Sequence, residues 1–197
     1  MTIRQVQDSK NDCDFIFFLS NDPLVRANSF NPNKIKYSDH CNWFSKTLAD
    51  KNTLFFLVFA DETEKQFVGQ IRFNRKAETS TECIISFSIT KEFRGKHIAR
   101  DFIELGIEEL KKNWHTVETV TAEVKDENIA SNKLFIKEGF KLVSSVNTFE
   151  LKLSNYKLTD KKNMLRENTI QKTSEGGCRK SSSFYSGSCF KAGLLCA

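Results

Sequence analysis

"TECIISFSITKEFRGKHIARDFIELGIEEL", residues 81–110, passes from an apolar strand through a short polar turn into a long helix, with Arg94 and Gly95 at the junction. The positive end of a helix dipole favours acids, yet this helix opens on Arg94, Gly95, Lys96 and His97. An external anion resolves the conflict. The first turn of a helix holds N–H groups with no internal acceptor, and such a nest binds diphosphate, with Arg94 or Lys96 adding charge-assisted contacts. Gly95 permits close approach of the anion. Taken alone, the stretch fits an ordinary cationic surface turn equally well.

Working outward, "TIRQV" near the N-terminus alternates as a strand, and "NDCDFIFFLSND" reads as a helix that Pro23 interrupts. A second helix is expected near "YSDHCNWF" with Ser38 as its cap. "TLFFLVFA", "QFVGQIRFNR" and "TECIISFSIT" form a three-strand meander. The long helix spans about Gly95 to Lys112 and leads to "TVETVTAEV", a strand with β-branched residues at alternate positions. "NIASNKLFIKEGF" is a short helix stopped by Gly139, and "KLVSSVNTFELKL" is a closing hairpin turning near Val146, Asn147 and Thr148. The order is an α/β layered domain, with a parallel pair expected where the long helix crosses between "ISFSIT" and "TVETVTAEV".

The 197 residues are 39% hydrophobic and suit one domain with an appendage. There is no apolar run long enough to span a membrane and no signal peptide near the start, so a cytoplasmic location and no membrane partner are expected. The six cysteines (Cys13, Cys41, Cys83, Cys178, Cys189, Cys196) are scattered, and the three histidines (His40, His97, His115) lack metal-ligand spacing. Free thiols and no metal site are therefore expected. Residues 1–153 carry 22 Lys+Arg and 22 Asp+Glu, while 154–197 carry 8 and 3, so the whole excess of +5 lies in the tail. The body has no basic bias that would suit nucleic acid. The division expected is a domain at 1–153 and a basic Ser-, Gly- and Cys-containing tail at 154–197, disordered or loosely packed.

Two motifs in order carry a family resemblance. "ISFSITKEFRGKHIARDFI" resembles an apolar strand followed by R/Q-x-x-G-x-G/A opening a helix, with Gly95 at the first glycine and Glu92 where that spacing has Arg or Gln. "AEVKDENIASNKLFIKEGF" places Asn128, Ser131, Phe135, Gly139 and Phe140 at a second set of family positions. Over residues 1–153 the chain resembles the GNAT N-acetyltransferase superfamily. The resemblance implies a three-layer fold, with a mixed sheet of about seven strands flanked by about four helices, and transfer of acetyl from acetyl-CoA to an amine. It also implies that the backbone of Ser88 and Ile89 pairs with the pantetheine arm. The amides of Arg94, Gly95, Lys96, His97, Ile98 and Ala99 would cradle the pyrophosphate, and Asn128, Ser131 and Phe135 would line the cofactor's other side. Two further positions depart from the family's pattern. His97 stands where the family prefers a second Gly or Ala, and it either alters the pyrophosphate pocket or points to solvent. Phe135 stands where many members keep a tyrosine that reprotonates the thiolate.

Direct transfer needs a polarising donor and a base. The Ile89 N–H is the expected donor, and Glu82, His40 and Glu123 are candidate bases, each also readable as a structural residue. The acceptor site is expected in "VRANSFNPNKIKYSDHCNWF", which is similar to GNAT enzymes that acetylate nucleotide-activated amino sugars of the pseudaminic acid type. That similarity implies a phosphate contact at Arg26, sugar contacts at Asn28 and Asn31, and a base or sugar face at His40 or Trp43. The acceptor is then a small-molecule amine, with a nucleotide amino sugar favoured over protein, polyamine or antibiotic amines, and the protein a monomer or homodimer. An acyl-CoA-binding module with little turnover is the competing reading.

Overall fold

A computed structural model of the chain describes residues 1–144 and 148–156. In chain order the elements are β1 (Thr2–Gln5), α1 (Lys10–Ser20), α2 (Pro23–Asn28), α3 (Tyr37–Ala49), β2 (Thr53–Phe59), β3 (Phe67–Asn74), β4 (Glu82–Ile89), α4 (Ala99–Asn113), β5 (Thr119–Glu123), α5 (Ile129–Lys137), β6 (Lys141–Ser144) and β7 (Thr148–Lys152). The strands form one sheet in the order β1-β2-β3-β4-β5-β7-β6. Among the described strands only β4 and β5 pair in parallel, across the α4 crossover. No helix among the described residues is long and apolar enough to cross a membrane.

The expected element order is present with one addition. Pro23 does not merely interrupt; it occupies the first turn of α2, where a missing N–H costs no hydrogen bond, and Asp22 accepts from the N–H groups of Leu24 and Val25. Ser38 is not the cap of α3. That helix begins at Tyr37 after Lys36, which leaves Ser38 inside the first turn. Gly139 stops α5 as expected, with φ +86°. The closing turn at 145–147 and the tail from 157 lie outside the described residues.

Two cores separate the layers. α4 packs Phe102, Ile103, Ile107 and Leu110 against Ile71, Phe73, Ile85 and Val120 of the sheet, and α5 adds Phe135 beside Phe149. On the opposite face α1 and α3 bring Cys13, Ile16 and Phe44 onto Phe55, Leu57 and Phe59 of β2. Strand β2 is covered on both faces, which explains its continuous apolar run TLFFLVF. α1 is anchored to the sheet by buried Asp12, whose carboxylate accepts two bonds from Arg4, at 2.7 and 2.9 Å, and one from the Gln7 N–H. Burial alone would raise the Asp12 pKa; the Arg4 guanidinium and the Gln7 N–H more than offset it and hold the carboxyl low.

Strand β4 alternates. Cys83 and Ile85 are buried toward α4, while Glu82, Ile84 and Ser86 are exposed on the opposite face. The same face carries Arg72 on β3, directly across from Ser86. Together these side chains make a polar floor beside the α1 and α3 layer.

Candidate active site

The central feature is a break in the sheet. β4 and β5 pair only from Glu82 to Ile84 and from Thr119 to Thr121, although β4 continues to Ile89. Beyond the break one edge of β4 has lost its neighbour. Which backbone groups face the gap follows from the register with β3. Gly69 lies opposite Ile89, and the Thr90 N–H donates to Val68 O at 2.8 Å, so Gly69 and Ile89 are a non-hydrogen-bonded pair. The N–H and C=O of Ile89 therefore turn away from β3 and toward the gap, as do those of Phe87 two residues back. Arg94 Nε donates to the Ile89 carbonyl at 2.8 Å, which leaves the Ile89 N–H as the group presented to the gap.

Ser88 corrects the expectation from sequence. It lies opposite Gln70 in the hydrogen-bonded pair, so its backbone is occupied by β3, and Phe87 takes its place beside Ile89 at the gap. The Ser88 side chain falls on the polar floor instead.

The cradle forms where the chain leaves β4. A 3-10 turn at Lys91–Phe93 leads to extended Arg94, then Gly95 at φ +73° and His97 at φ +59° precede right-handed Ile98. Alternation of left- and right-handed residues turns successive N–H groups to one side. α4 starts at Ala99, four residues later than expected, because these left-handed residues cannot belong to it. Its Ncap, Ile98, supplies no side-chain acceptor, so the first-turn N–H groups remain available to an anion. A Cβ built on Gly95 meets no atom within 4 Å, so the cradle is open. These features fit a diphosphate.

The cations divide their work. Arg94 is engaged by Ile89 O and by an ion pair with Asp22 at 2.9 Å, so it ties the cradle to the start of α2. Lys96 lies over the Phe93 ring at 5.0 Å and is exposed, which makes it the cation nearest the cradle.

His97 is exposed and strained, which accounts for the preference for glycine at its place. Replacing it by Gly relieves about 1–2 kcal/mol of strain but adds about 0.5–1 kcal/mol of chain entropy to the unfolded state. His97→Gly is therefore expected to melt at or slightly above the wild-type temperature, whereas β-branched His97→Val loses about 1–2 kcal/mol. A clear drop in the melting temperature of the glycine variant would show that the imidazole itself stabilises the loop.

The far wall is built by the loop from β5 to α5. Asn128 is the Ncap of α5, accepting from the Ser131 N–H at 3.2 Å, so its side chain shapes the wall through the helix start. Asn132, which sequence reasoning missed, braces the same loop by donating to the carbonyls of Lys125 and Asp126. Lys125 donates to Ala27 O at 2.9 Å and links this wall to the end of α2. Phe135 is 3% exposed and packs edge-on against Phe87 and Phe140 and stacked on Phe149. It supports Phe87 at the gap and carries no proton to donate.

Several acceptor-side expectations change. Glu82 stands at the other end of β4 from Ile89, seven residues and about 23 Å away, so it is too far to act as base. His40 is 2% exposed, packed among Phe17, Trp43 and Phe44, and its Nε2–H donates to Cys13 O at 2.9 Å. Burial pushes its pKa down, against a smaller opposing effect of that bond. It is a core clamp between α1 and α3 and is not presented to a substrate.

Arg26 donates through its terminal nitrogens to Asn31 O, Asn33 O and Ser29 Oγ, so these brace the loop after α2, while its buried Nε has no partner among the described residues. Asn31 accepts from the Asn33 N–H within that loop, and Asn28 is the last residue of α2. Trp43 is half-buried with the Arg72 guanidinium 5.2 Å from its ring centre. Of the three candidate bases only Glu123 remains near the gap. It ends β5 two residues beyond the last parallel pair, exposed and on the polar floor.

A splayed parallel pair opening beside a loop of left-handed residues is the arrangement that the resemblance to coenzyme A-dependent acetyltransferases implies. A family model described as the acetyltransferase (GNAT) domain matches residues 1–141, and the chain belongs to that family of N-acetyltransferases. Solved structures agree on the fold. A domain from Methanocaldococcus jannaschii DSM 2661 is similar at 24% identity and TM-score 0.65, over 77% of this chain and 97% of that one. Spermidine N-acetyltransferase from Vibrio cholerae, solved with CoA and spermine, is similar at 18% identity and TM-score 0.68, over 79% and 96%. Ribosomal-protein-alanine N-acetyltransferase from Brucella melitensis is similar at 19% identity and TM-score 0.61, over 78% and 100%. Among the curated proteins none matches.

Proposed function

We propose that the protein transfers an acetyl group from acetyl-CoA to a primary amine seated on the polar floor of β3, β4 and β5, by direct attack in a ternary complex. The observation that carries this reading is the break in the β4–β5 pairing, with the Ile89 N–H facing the gap beside the cradle at Gly95. Acetyl-CoA, when bound, supplies the thioester. Phe87 offers backbone partners for its amide-bearing arm, the Ile89 N–H is left for the thioester, and the N–H groups of residues 95–99 hold its diphosphate with Lys96 nearby. Ser131 and the first turn of α5 close the far side.

The Ile89 N–H donates to the carbonyl oxygen as negative charge develops there. Glu123, directly or through water, takes the proton of the amine. Phe135 offers no proton, so the departing thiolate is protonated by solvent. The resemblance around α2 favours a nucleotide-linked amino sugar, which would be held by groups other than buried His40 and the engaged terminal nitrogens of Arg26. Polyamine and protein amines, named for the solved relatives, are the alternatives.

The test is release of free thiol from acetyl-CoA across a panel holding an amino sugar nucleotide, spermidine and an alanine-starting peptide. Turnover of one class well above the others is expected. Tight coenzyme A binding with no turnover on any amine would overturn the reading in favour of a binding module, which the absence of a proton donor at Phe135 otherwise suits.

A further inference from the structure

One cation on the polar floor takes no part in the chemistry above. The Arg72 guanidinium lies between the Trp43 ring of α3, at 5.2 Å, and the Phe55 ring of β2, at 5.8 Å. Its Nε is buried without a hydrogen-bond partner, and no carboxylate among the described residues forms an ion pair with it. Burial lowers its pKa, and no neighbouring charge opposes the shift. Arginine stays charged even so. Two aromatic faces offset part of the desolvation, but they leave the buried Nε without a hydrogen-bond acceptor.

Neighbouring groups sharpen the picture. Gln70, two residues away on the same face, also has a buried and unpartnered oxygen, Oε1. Ser86 lies directly opposite Arg72 on β4 and is exposed. Asn74, two residues the other way, lines a cleft of about 490 Å³ together with Lys76, Ser80, Glu82, Ile84 and Thr121. That volume is in the range of small-molecule sites. The acids sharing the floor stand apart from Arg72. Glu123 and Glu150 are two and three strands across, at least about 10 and 14 Å, and Glu82 is four residues along β4 from Ser86, about 13 Å.

Resting on the acetyltransferase reading above, we propose that Arg72 determines acceptor specificity by holding a carboxylate or phosphate of the amine substrate, so that the preferred acceptors are anionic amines and not polyamines. The planar fork matches either anion in bidentate geometry. Gln70 Oε1 accepts from a hydroxyl or amide of the same ligand. The cleft beginning at Asn74 takes the part of the acceptor remote from the amine, with Lys76 as a second cation along it. A polyamine would bring like charge against a guanidinium that has no counterion among the described residues, which the site disfavours.

The experiment compares matched acceptors that differ in one anionic group: γ-aminobutyrate against its amide, and glucosamine 1-phosphate against glucosamine, with spermidine as the cationic reference. In the wild type the anionic member of at least one pair is expected to have the higher kcat/KM by about 100-fold, carried by KM, and spermidine is expected to be the poorest acceptor. Preference in the first pair alone assigns a carboxylate, and in the second a phosphate.

Arg72→Gln should collapse that ratio toward one, and Arg72→Lys should restore part of it, because charge returns without the fork. Coenzyme A affinity, measured on each variant, reports whether the fold is intact. Equal turnover within both pairs, a preference for spermidine, or a ratio unchanged in a folded Arg72→Gln overturns the proposal and leaves the acetyltransferase reading standing. No turnover of any acceptor, with coenzyme A still bound, overturns both.

Discussion

Gly69→Ala is expected to destabilise the protein by about 3 kcal/mol or more and to abolish most of its activity. A Cβ on Gly69 would stand 2.1 Å from Ser88 O and 3.1 Å from Ile89 Cα, both backbone atoms in the middle of the sheet. No side chain can rotate away to admit it. β3 and β4 must separate, and the bond from the Thr90 N–H to Val68 O, now 2.8 Å, stretches with them. Thermal melting should record a fall of roughly 6–12 °C, since each kcal/mol shifts a domain of this size by about 2–4 °C. The surviving folded fraction should also turn over poorly, because Ile89 moves with its strand. A melting temperature within about 2 °C of the wild type would mean that the sheet absorbs the methyl group and that Ile89 is not rigidly placed.

Gly95→Val should have the opposite signature, with stability nearly kept and the cofactor lost. The space around a Cβ at this position is open, so the substitution meets no packing obstacle. Its φ of +73° is the obstacle, because a β-branched residue is a strong outlier there. The loop must flip to negative φ, which redirects the N–H groups that follow it. Losing two charge-assisted bonds of about 1.5 kcal/mol each weakens coenzyme A binding by about 100-fold. Calorimetric titration with coenzyme A checks this, beside a melting curve that shifts by only a few degrees. Unchanged affinity would remove the diphosphate from this loop.

Gly69 and Gly95 also differ in how far the sequence could reveal them. Gly95 was legible because its neighbours Arg94, Lys96 and His97 contradict the helix dipole, a conflict contained within one turn of chain. Gly69 drew no attention, since the need for it arises from Ser88 on the next strand. Asp22 and Asn132 were missed for the same reason. One is needed by Arg94, 72 positions further on, and the other by carbonyls of a loop whose shape depends on α5 docking. His40 and Trp43 suggested a binding surface because helix periodicity alone does not say which way a stripe faces. In the fold His40 turns inward to Cys13, while Trp43 sits against Arg72, a strand residue that offered no sequence signal of its own.

By itself the sequence determined the alternation of strands and helices, the parallel crossover, the position of the cradle and the place of Asn128 at a helix start. All of these depend on residues within a few positions of one another, through period, capping and turn chemistry. Tertiary structure alone decided that Phe87 and Ile89 face the gap while Ser88 faces β3, and that Glu82 lies at the far end of its strand. It also decided that Arg72 has aromatic neighbours and, among the described residues, no ion-pair partner. Those outcomes depend on register and on which elements pack together, and a one-residue change of register would reverse every one of the backbone assignments at the gap.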